Sequence, residues 1–207
     1  MREVDRSILV AADDTRVTVL APRAGLLQNA RMTLSNRWYA LLAATLLGLQ
    51  VAAARASAPG PGDVPPPDIG RTLSGDEILL PDYAGKAVIV TFWATWCPYC
   101  LKELPILQNV QDRVGKEQIA VIAVNTETFD VYKRATRIMR ESMHMELVSD
   151  ASGQAQNAFG VRSLPHMLII GRDGRILRVY HGYAEEKLDA IVADINEALM
   201  PLPSPAP

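Results

Sequence analysis

The amino-acid sequence predicts an α/β domain in which a central sheet of parallel and antiparallel strands carries helices on both faces. Two short, nearly continuous apolar runs, 87–93 and 119–124, have the length and composition of strands that are buried on both sides. Between them, residues 98–114 place apolar side chains at helical spacing and end at a glycine. A turn at 172–175 joins two further strand candidates as a hairpin, so both strand orientations share one sheet.

The remaining elements follow from the same patterns, in chain order. Shorter segments predict a strand at 77–80, a helix at 152–159, and hairpin strands at 167–170 and 176–180. Residues 129–143 predict an amphipathic helix with a basic outer face and with inward side chains from Val131, Ile138 and Met139. A last helix over 184–200 is predicted to bury Leu188, Ile191, Val192, Ile195 and Leu199.

The composition of the chain excludes some classes of function. The chain is 49% hydrophobic, which is enough for one sizeable core, and its formal charge of −2 supplies no broad basic field to attract nucleic acid. Its only two cysteines, Cys97 and Cys100, stand three residues apart. No other pair is left to form a structural disulfide, so the fold must depend on its apolar core.

The N-terminal part of the chain predicts export. Residues 38–54 carry no charge and lie between Arg37 and Arg55, and small residues follow them. We interpret 32–56 as a cleaved signal peptide, with an uncleaved membrane anchor as the alternative, since the run is at the short end of the roughly 17–25 residues that span a bilayer. Either outcome places the remaining chain outside the cytoplasm, which predicts a periplasmic protein.

The domain boundaries follow from these segments. Residues 1–31 mix acidic and basic side chains without a period, and we expect them to be an over-extended start, a hypothesis that precursor peptides from before Met32 would refute. Residues 57–72 are rich in proline and glycine and predict a semi-stiff spacer. The folded domain is predicted at 73–200, and 201–207 predicts a disordered tail.

The position of the cysteine pair indicates dithiol–disulfide chemistry. Cys97 directly follows the strand 87–93 and opens the helix 98–114, where unpaired backbone N–H groups and the helix dipole stabilise a thiolate. We therefore expect Cys97 to be the nucleophile, with a lowered pKa, and Cys100 to be the resolving thiol one turn inside the helix. Pro98 suits the first helical turn because it has no N–H to leave unpaired there.

Metal and haem binding are weaker interpretations of the same motif. A structural zinc site needs four ligands, whereas the chain has one CxxC and three scattered histidines, His144, His166 and His181. Covalent haem attachment needs histidine directly after the second cysteine, and position 101 is leucine. We expect no metal site and no bound cofactor beyond the redox-active disulfide itself.

Residues 92–105 resemble the active-site segment of thioredoxin-fold proteins, and more narrowly that of the TlpA/ResA-like periplasmic thiol–disulfide oxidoreductases. The resemblance runs from about residue 78 to 200. Pro105 matches the proline of the family's active-site helix, 163–165 matches its cis-proline loop, and 172–175 matches its hairpin. The resemblance implies a thioredoxin-like fold and a thiol–disulfide oxidoreductase.

The resemblance also implies roles for further residues. Glu103 is expected to tune the cysteines and relay protons, because the aspartate that thioredoxins carry two residues before the matching tryptophan is Thr91 here. Pro165 is expected to be cis and to face the CxxC. Substrate contacts are expected from Trp96, from the Leu164 backbone and from His166.

The resemblance implies that the protein reduces disulfides of exported client proteins, of the cytochrome c or copper-site maturation type, and is re-reduced by a membrane thiol carrier. The Pro98-Tyr99 dipeptide leaves the direction of electron flow open, since such redox pairs span roughly −270 to −120 mV. A periplasmic disulfide oxidase or isomerase, or a module that handles Cu(I) with the two thiolates, therefore stays an alternative.

Overall fold

Residues 57–202 are described in the computed structural model of the protein. They form a seven-stranded sheet flanked by helices. The strands are β1 (Asp68–Arg71), β2 (Glu77–Leu79), β3 (Ala87–Trp93), β4 (Ile119–Asn125), β5 (Glu146–Ser149), β6 (His166–Ile170) and β7 (Ile176–His181). The α-helices are α1 (Pro98–Val114), α2 (Phe129–Met139), α3 (Gln154–Ala158) and α4 (Leu188–Ala198), with short 3-10 turns at Leu80–Tyr83 and Glu185–Lys187.

The sheet mixes parallel and antiparallel strands, as the sequence predicts. The strand order is β2-β1-β5-β4-β3-β6-β7. The parallel pairs are β3 with β4 and β4 with β5, and β6 pairs antiparallel with both β3 and β7. Every residue of β3 and β4 is buried, because helices or loops cover both sides of the centre of the sheet.

Side chains that alternate along the central strands form two separate apolar cores. One core, here called the cysteine face, contains Trp93, Cys97, Cys100, Leu104, Val121 and Ile169. The other, here called the histidine face because His166 lies against it, contains Ile69, Phe92, Val124, Phe159, Leu168 and Ile170. Helix α1 packs on the cysteine face, and α3 packs on the histidine face. The sheet therefore separates two environments, and Leu164, in the loop before β6, packs against both.

Two strands and two inward positions differ from the sequence prediction. Strands β1 and β5 were not predicted, because each has four residues and is specified by pairing with its neighbour rather than by its own pattern. In α2 the buried side chains are Tyr132 and Thr136, whereas Ile138 is exposed. Ile138 lies two residues past Thr136, about 200° around the helix, so it faces away from the sheet. Val192 of α4, also predicted inward, is exposed.

The segment predicted as a spacer, 57–72, is in fact partly built into the domain. Its end forms β1, which pairs with β2 and β5 and buries Ile69. Earlier in the segment, Gly62 N–H donates to the Ile176 carbonyl (2.7 Å) and Ile176 N–H donates to the Asp63 carbonyl (2.9 Å). Proline prevents a helix here but allows an extended chain to dock along the edge strand β7. The folded domain therefore begins before residue 73.

The predictions for 1–31 and 32–56, and for the tail beyond residue 202, lie outside the described residues. Among residues 57–202, no helix is both long enough and apolar enough to cross a bilayer.

Candidate active site

The two cysteines lie at the start of α1, directly after the central strand β3. Cys97 is the N-cap of the helix, and Pro98 occupies its first turn. The sulfur atoms are bonded to each other at 2.05 Å, so the structure shows the oxidised form. The backbone N–H of Cys100 donates to Cys97 Sγ over 3.1 Å. An otherwise unpaired amide of the helix N-terminus is thus directed at the sulfur that the sequence predicts to be the nucleophile.

Exposure differs between the cysteines and the residues beside them. Cys97 is 4% exposed and Cys100 is 1% exposed. The neighbouring Trp96 and Tyr99 are each more than half exposed. The Tyr99 ring stacks on that of Tyr183, with centroids 6.0 Å apart. Exposed aromatic side chains therefore flank the disulfide, and Cys97 is the more accessible of the two cysteines.

Glu103 is the buried carboxyl group of this helix. It lies three residues after Cys100, hence on the same side of α1, and it is only 7% exposed. Burial disfavours the carboxylate and raises the pKa of Glu103 from its ordinary 4.5 to about 7. A carboxyl group with this pKa can accept or release a proton near neutral pH, which is the property that the predicted proton relay requires.

The loop before β6 lies beside the cysteine pair. Strand β6 pairs antiparallel with β3, and Phe92 lies opposite His166. The residues just before β6 therefore adjoin the turn that leads from β3 to Cys97. The peptide bond between Leu164 and Pro165 is cis, as the resemblance predicts. Pro165 is buried and Leu164 is half-buried, and the Pro165 carbonyl accepts a hydrogen bond from Gly182 N–H at 2.8 Å.

His166 lies on the other side of the sheet from the cysteines. It is 2% exposed, and its ring meets the Phe92 ring edge-on with centroids 5.9 Å apart. Its Nδ1 lies 3.1 Å from Nδ1 of His181. Burial, and then the neighbouring His181, lowers the pKa of His166 to about 4. Strand alternation places the His166 side chain with Phe92 rather than with Trp93, so it does not lie beside the sulfurs, and its contact with substrate stays a prediction.

One residue of the site was not predicted from the sequence. Glu127 lies two residues past β4 and receives two hydrogen bonds from Thr95, in the turn before Cys97. The two residues are 32 positions apart in the chain. This contact could have been predicted only from the strand order. The carboxyl ends of neighbouring parallel strands share one edge of the sheet, so the polar residues that follow β3 and β4 meet there.

Within residues 57–202, no group of three or more histidine, cysteine, aspartate or glutamate side chains is arranged to hold a metal ion. The groups that the structure brings together are the two sulfurs of Cys97 and Cys100, the buried carboxyl of Glu103, and the loop at Pro165. Sulfur is the reactive element of this arrangement, and dithiol–disulfide exchange is the chemistry that it can perform.

Comparison with known proteins supports this chemistry. Residues 62–179 match the AhpC/TSA family. The thiol-disulfide oxidoreductase ResA of Geobacillus thermodenitrificans is 32% identical over 123 residues, which cover 58% of this chain and 69% of ResA. The thioredoxin-like protein YneN of Bacillus subtilis is 31% identical over 125 residues, which cover 58% of this chain and 73% of YneN.

Solved structures share the fold. A candidate thiol:disulfide interchange protein DsbE from Chlorobium tepidum superposes with a TM-score of 0.61 and 24% identity, covering 70% of this chain and all of that one. The exposed lipoprotein thioredoxin Etrx1 of Streptococcus pneumoniae gives a TM-score of 0.53 and 26% identity, covering 63% of this chain and 97% of that one. The chain therefore belongs to the AhpC/TSA family and is a thioredoxin-fold thiol–disulfide oxidoreductase of the ResA type.

Proposed function

We propose that this protein reduces disulfide bonds in exported client proteins, of the kind that must be reduced before cytochrome c or copper-site maturation. The observation that carries the proposal is the position of Cys97 at the helix N-cap, where the Cys100 amide lies 3.1 Å from its sulfur. This geometry stabilises a thiolate that attacks other disulfides. The reductive direction rests on the resemblance to the TlpA/ResA-like proteins.

The first step is attack by the reduced enzyme. The Cys97 thiolate attacks one sulfur of a client disulfide, a bond forms between Cys97 and the client, and the second client sulfur leaves as a thiolate. The exposed Trp96 ring and the backbone of Leu164 are proposed to hold the client segment beside Cys97. An extended segment suits this site because backbone hydrogen bonds bind it without requiring a particular sequence.

The second step releases the client. Cys100 loses its thiol proton to the Glu103 carboxylate and attacks Cys97 Sγ, which re-forms the bond between Cys97 and Cys100 and expels the second client thiolate. The client gains two electrons and the enzyme loses them. The pKa of Glu103, raised to about 7, lets its carboxylate take this proton and return it near neutral pH.

The oxidised enzyme then needs an external reductant. We propose a membrane thiol carrier that reduces the disulfide between Cys97 and Cys100 by the same exchange in the opposite direction, so that electrons pass only through sulfur. The uncharged run 38–54 supports export of the domain to the periplasm, either as a cleaved signal or as an anchor. A reporter enzyme that is active only outside the cytoplasm, fused after residue 202, tests this location and should be active.

The function is tested by mixing the reduced protein with an oxidised peptide that carries an apocytochrome c CxxCH motif. We expect reduction of the peptide and one equivalent of enzyme disulfide, with a trapped mixed disulfide in Cys100→Ser and none in Cys97→Ser. The opposite result, net oxidation of the dithiol peptide with an enzyme potential near roughly −120 mV, would identify an oxidase. Tight stoichiometric binding of Cu(I) without peptide reduction would identify a copper-handling module.

A further inference from the structure

We propose that Glu127 is a positioning residue for thiol–disulfide exchange: its carboxylate holds the turn between β3 and α1 in the shape that presents Cys97. Both oxygens of this carboxylate are used. Thr95 N–H donates to Oε2 over 2.6 Å, and the Thr95 hydroxyl donates to Oε1 over 3.0 Å. A carboxylate with two bonds to one residue fixes the orientation of that residue as well as its distance.

The Glu127 carboxylate is itself held in place from behind. Asn125, the last residue of β4, donates from Nδ2 to Glu127 Oε2 over 3.3 Å. In return, Glu127 N–H donates to Asn125 Oδ1 over 3.0 Å. Asn125 is fully buried and lies opposite Trp93 in the parallel ladder of β3 and β4. The position of Glu127 is therefore set by the rigid centre of the sheet.

The turn itself has few other restraints. Thr126 N–H donates to the Trp93 carbonyl at 3.0 Å, and Cys97 N–H donates to the Ala94 carbonyl at 3.1 Å, so both ends of the turn are fixed. Between these ends, Thr95 and Trp96 are exposed and do not belong to either apolar core. The middle of the turn is thus held by the polar contact with Glu127 rather than by packing.

This restraint matters most when the disulfide is open. In the oxidised form the bond between Cys97 and Cys100 also limits the turn, whereas in the reduced form that restraint is lost. The packing of Cys97 in the apolar core and the hydrogen bonds of the turn then keep its Sγ near the amides of the helix N-terminus, where the thiolate is stabilised. We infer that losing the Glu127 contact raises the pKa of the Cys97 thiol and slows its attack on substrate disulfides.

Removing the negative charge of Glu127 lowers the pKa of Cys97, whereas losing the contact raises it, so the two effects can be measured separately. Glu127→Gln loses the charge but can keep both contacts with Thr95, since its one amide oxygen accepts from the Thr95 N–H and its NH2 group donates to the Thr95 hydroxyl oxygen. Its loss of charge lowers the pKa of Cys97. Glu127→Ala loses both charge and contact. A positioning role therefore predicts a higher Cys97 pKa in the alanine variant than in the glutamine variant, whereas a purely electrostatic role predicts the same fall in both.

The experiment uses full-length protein, reduced, with the Cys97 thiolate titrated by absorbance and exchange measured against a small disulfide in both directions. We expect Glu127→Ala to lower kcat/KM by about tenfold and to raise the Cys97 pKa, since a displaced reacting group loses rate steeply. Glu127→Gln should recover most of the rate, and Thr95→Val, which keeps the N–H but loses the hydroxyl, should fall between them. Glu141→Ala, a change at an exposed carboxylate, is the matched control and should resemble the wild type.

Two outcomes would overturn the proposal: unchanged kcat/KM in Glu127→Ala, or a pKa of Cys97 that falls equally in the alanine and glutamine variants. If Glu127→Ala does not fold, as thermal unfolding would show, Thr95→Val decides the matter, and a wild-type rate in that variant also overturns the role. This positioning role rests on exchange at Cys97 and not on the identity of the client. If the peptide-reduction test fails, the positioning role of Glu127 is unaffected. If the positioning role fails, the proposed reductase function is unaffected.

Discussion

Glu103 and His166 are buried titratable side chains on opposite faces of the sheet, and burial shifts their pKa values in opposite directions. On the cysteine face, burial raises the pKa of Glu103 to about 7. On the histidine face, burial and the neighbouring His181 lower the pKa of His166 to about 4. In both cases the neutral form is favoured, because charge is costly in an apolar environment. Only Glu103 is left with a pKa close to neutral pH.

The face of the sheet, and not the distance along the chain, decides whether a titratable group lies on the side of the disulfide. Phe92 and Trp93 are consecutive residues of β3, yet one packs against His166 and the other belongs to the core that contains Cys97. His166 directly follows the loop residue Pro165, but its imidazole is held neutral on the opposite face. Of these two groups, only Glu103 lies on the face of the sheet that carries the sulfurs.

The largest effect is expected on the cysteine face itself. Cys97→Ser removes the nucleophile, and we expect exchange with small disulfides to fall by about 10³-fold or more, since a hydroxyl is a far weaker nucleophile than a thiolate near neutral pH. Stopped-flow measurement with a chromogenic disulfide checks this. Cys100→Ser should still perform the first attack and stop at the mixed disulfide. Equal single-step rates for the two variants would contradict the assignment of Cys97 as the attacking residue.

The next effect concerns Glu103 and its dependence on pH. Glu103→Gln removes the proposed proton acceptor for Cys100. We therefore expect it to slow the step that releases the client by about 10²-fold at pH 7 and to flatten the pH profile of that step around pH 7. Single-turnover kinetics between pH 5 and 9 measure this step. A variant that keeps the wild-type rate and pH profile would remove the relay from the mechanism. The first attack by Cys97 is the internal control and should change much less.

Glu103 and His166 should make the free energy of unfolding depend on pH in opposite directions. The folded-state pKa of Glu103 lies above its ordinary 4.5, so its contribution is fully present below pH 4.5 and is lost as the pH rises to about 7. The shift corresponds to about 3 kcal/mol in the free energy of unfolding. Denaturant unfolding of wild type and Glu103→Gln between pH 4 and 8 checks this, and the difference between the two proteins should change across that window. A constant difference would contradict the raised pKa.

His166 is expected to have a smaller effect on stability, of the opposite sign. Its folded-state pKa lies below the ordinary 6.5, so its contribution is present above pH 6.5 and is lost as the pH falls toward 4. By pH 5 this effect lowers the free energy of unfolding by about 2 kcal/mol, and His166→Leu should abolish this pH dependence. Urea unfolding at pH 7 and pH 5 measures it. The Cys97 thiolate titration should be unchanged in this variant, and a shifted titration would show that the two faces are coupled.

The smallest effect is expected at the aromatic rim of the site. Tyr183→Ala removes the ring that stacks on Tyr99, and such a pair contributes about 1 kcal/mol. We expect a change of up to about fivefold in KM for peptide substrates with little change in kcat. Peptide-reduction kinetics measure both parameters. A change in kcat with unchanged KM would indicate that Tyr183 acts on the chemistry and not on docking.

The sequence predicted those elements whose evidence is local. Strand β3 and helix α1 were predicted with their correct bounds, because a continuous apolar run, a proline in the first turn and a closing glycine mark them. The cysteine pair followed from its position between these two elements. Strand β1 escaped prediction because its proline-rich surroundings favour a spacer and only pairing with β2 and β5 makes it a strand.

The errors within the site arose from information that the linear sequence does not contain. His166 was expected near the thiols because it follows Pro165, but a shift of one residue along a strand exchanges the faces of the sheet. Glu127 was missed because its contact with Thr95 spans 32 residues and depends on the parallel pairing of β3 and β4. Glu103 was predicted from the resemblance, and the structure adds the burial that explains its pKa.

The near-complete enclosure of both sulfurs limits the shape of a disulfide that can reach them. Since Cys97 is only 4% exposed, a disulfide set in a concave or rigid surface of a folded partner cannot approach it closely. A narrow, still unstructured stretch of chain can. We therefore expect faster exchange with a disulfide in an unfolded chain than with the same disulfide enclosed in a folded protein.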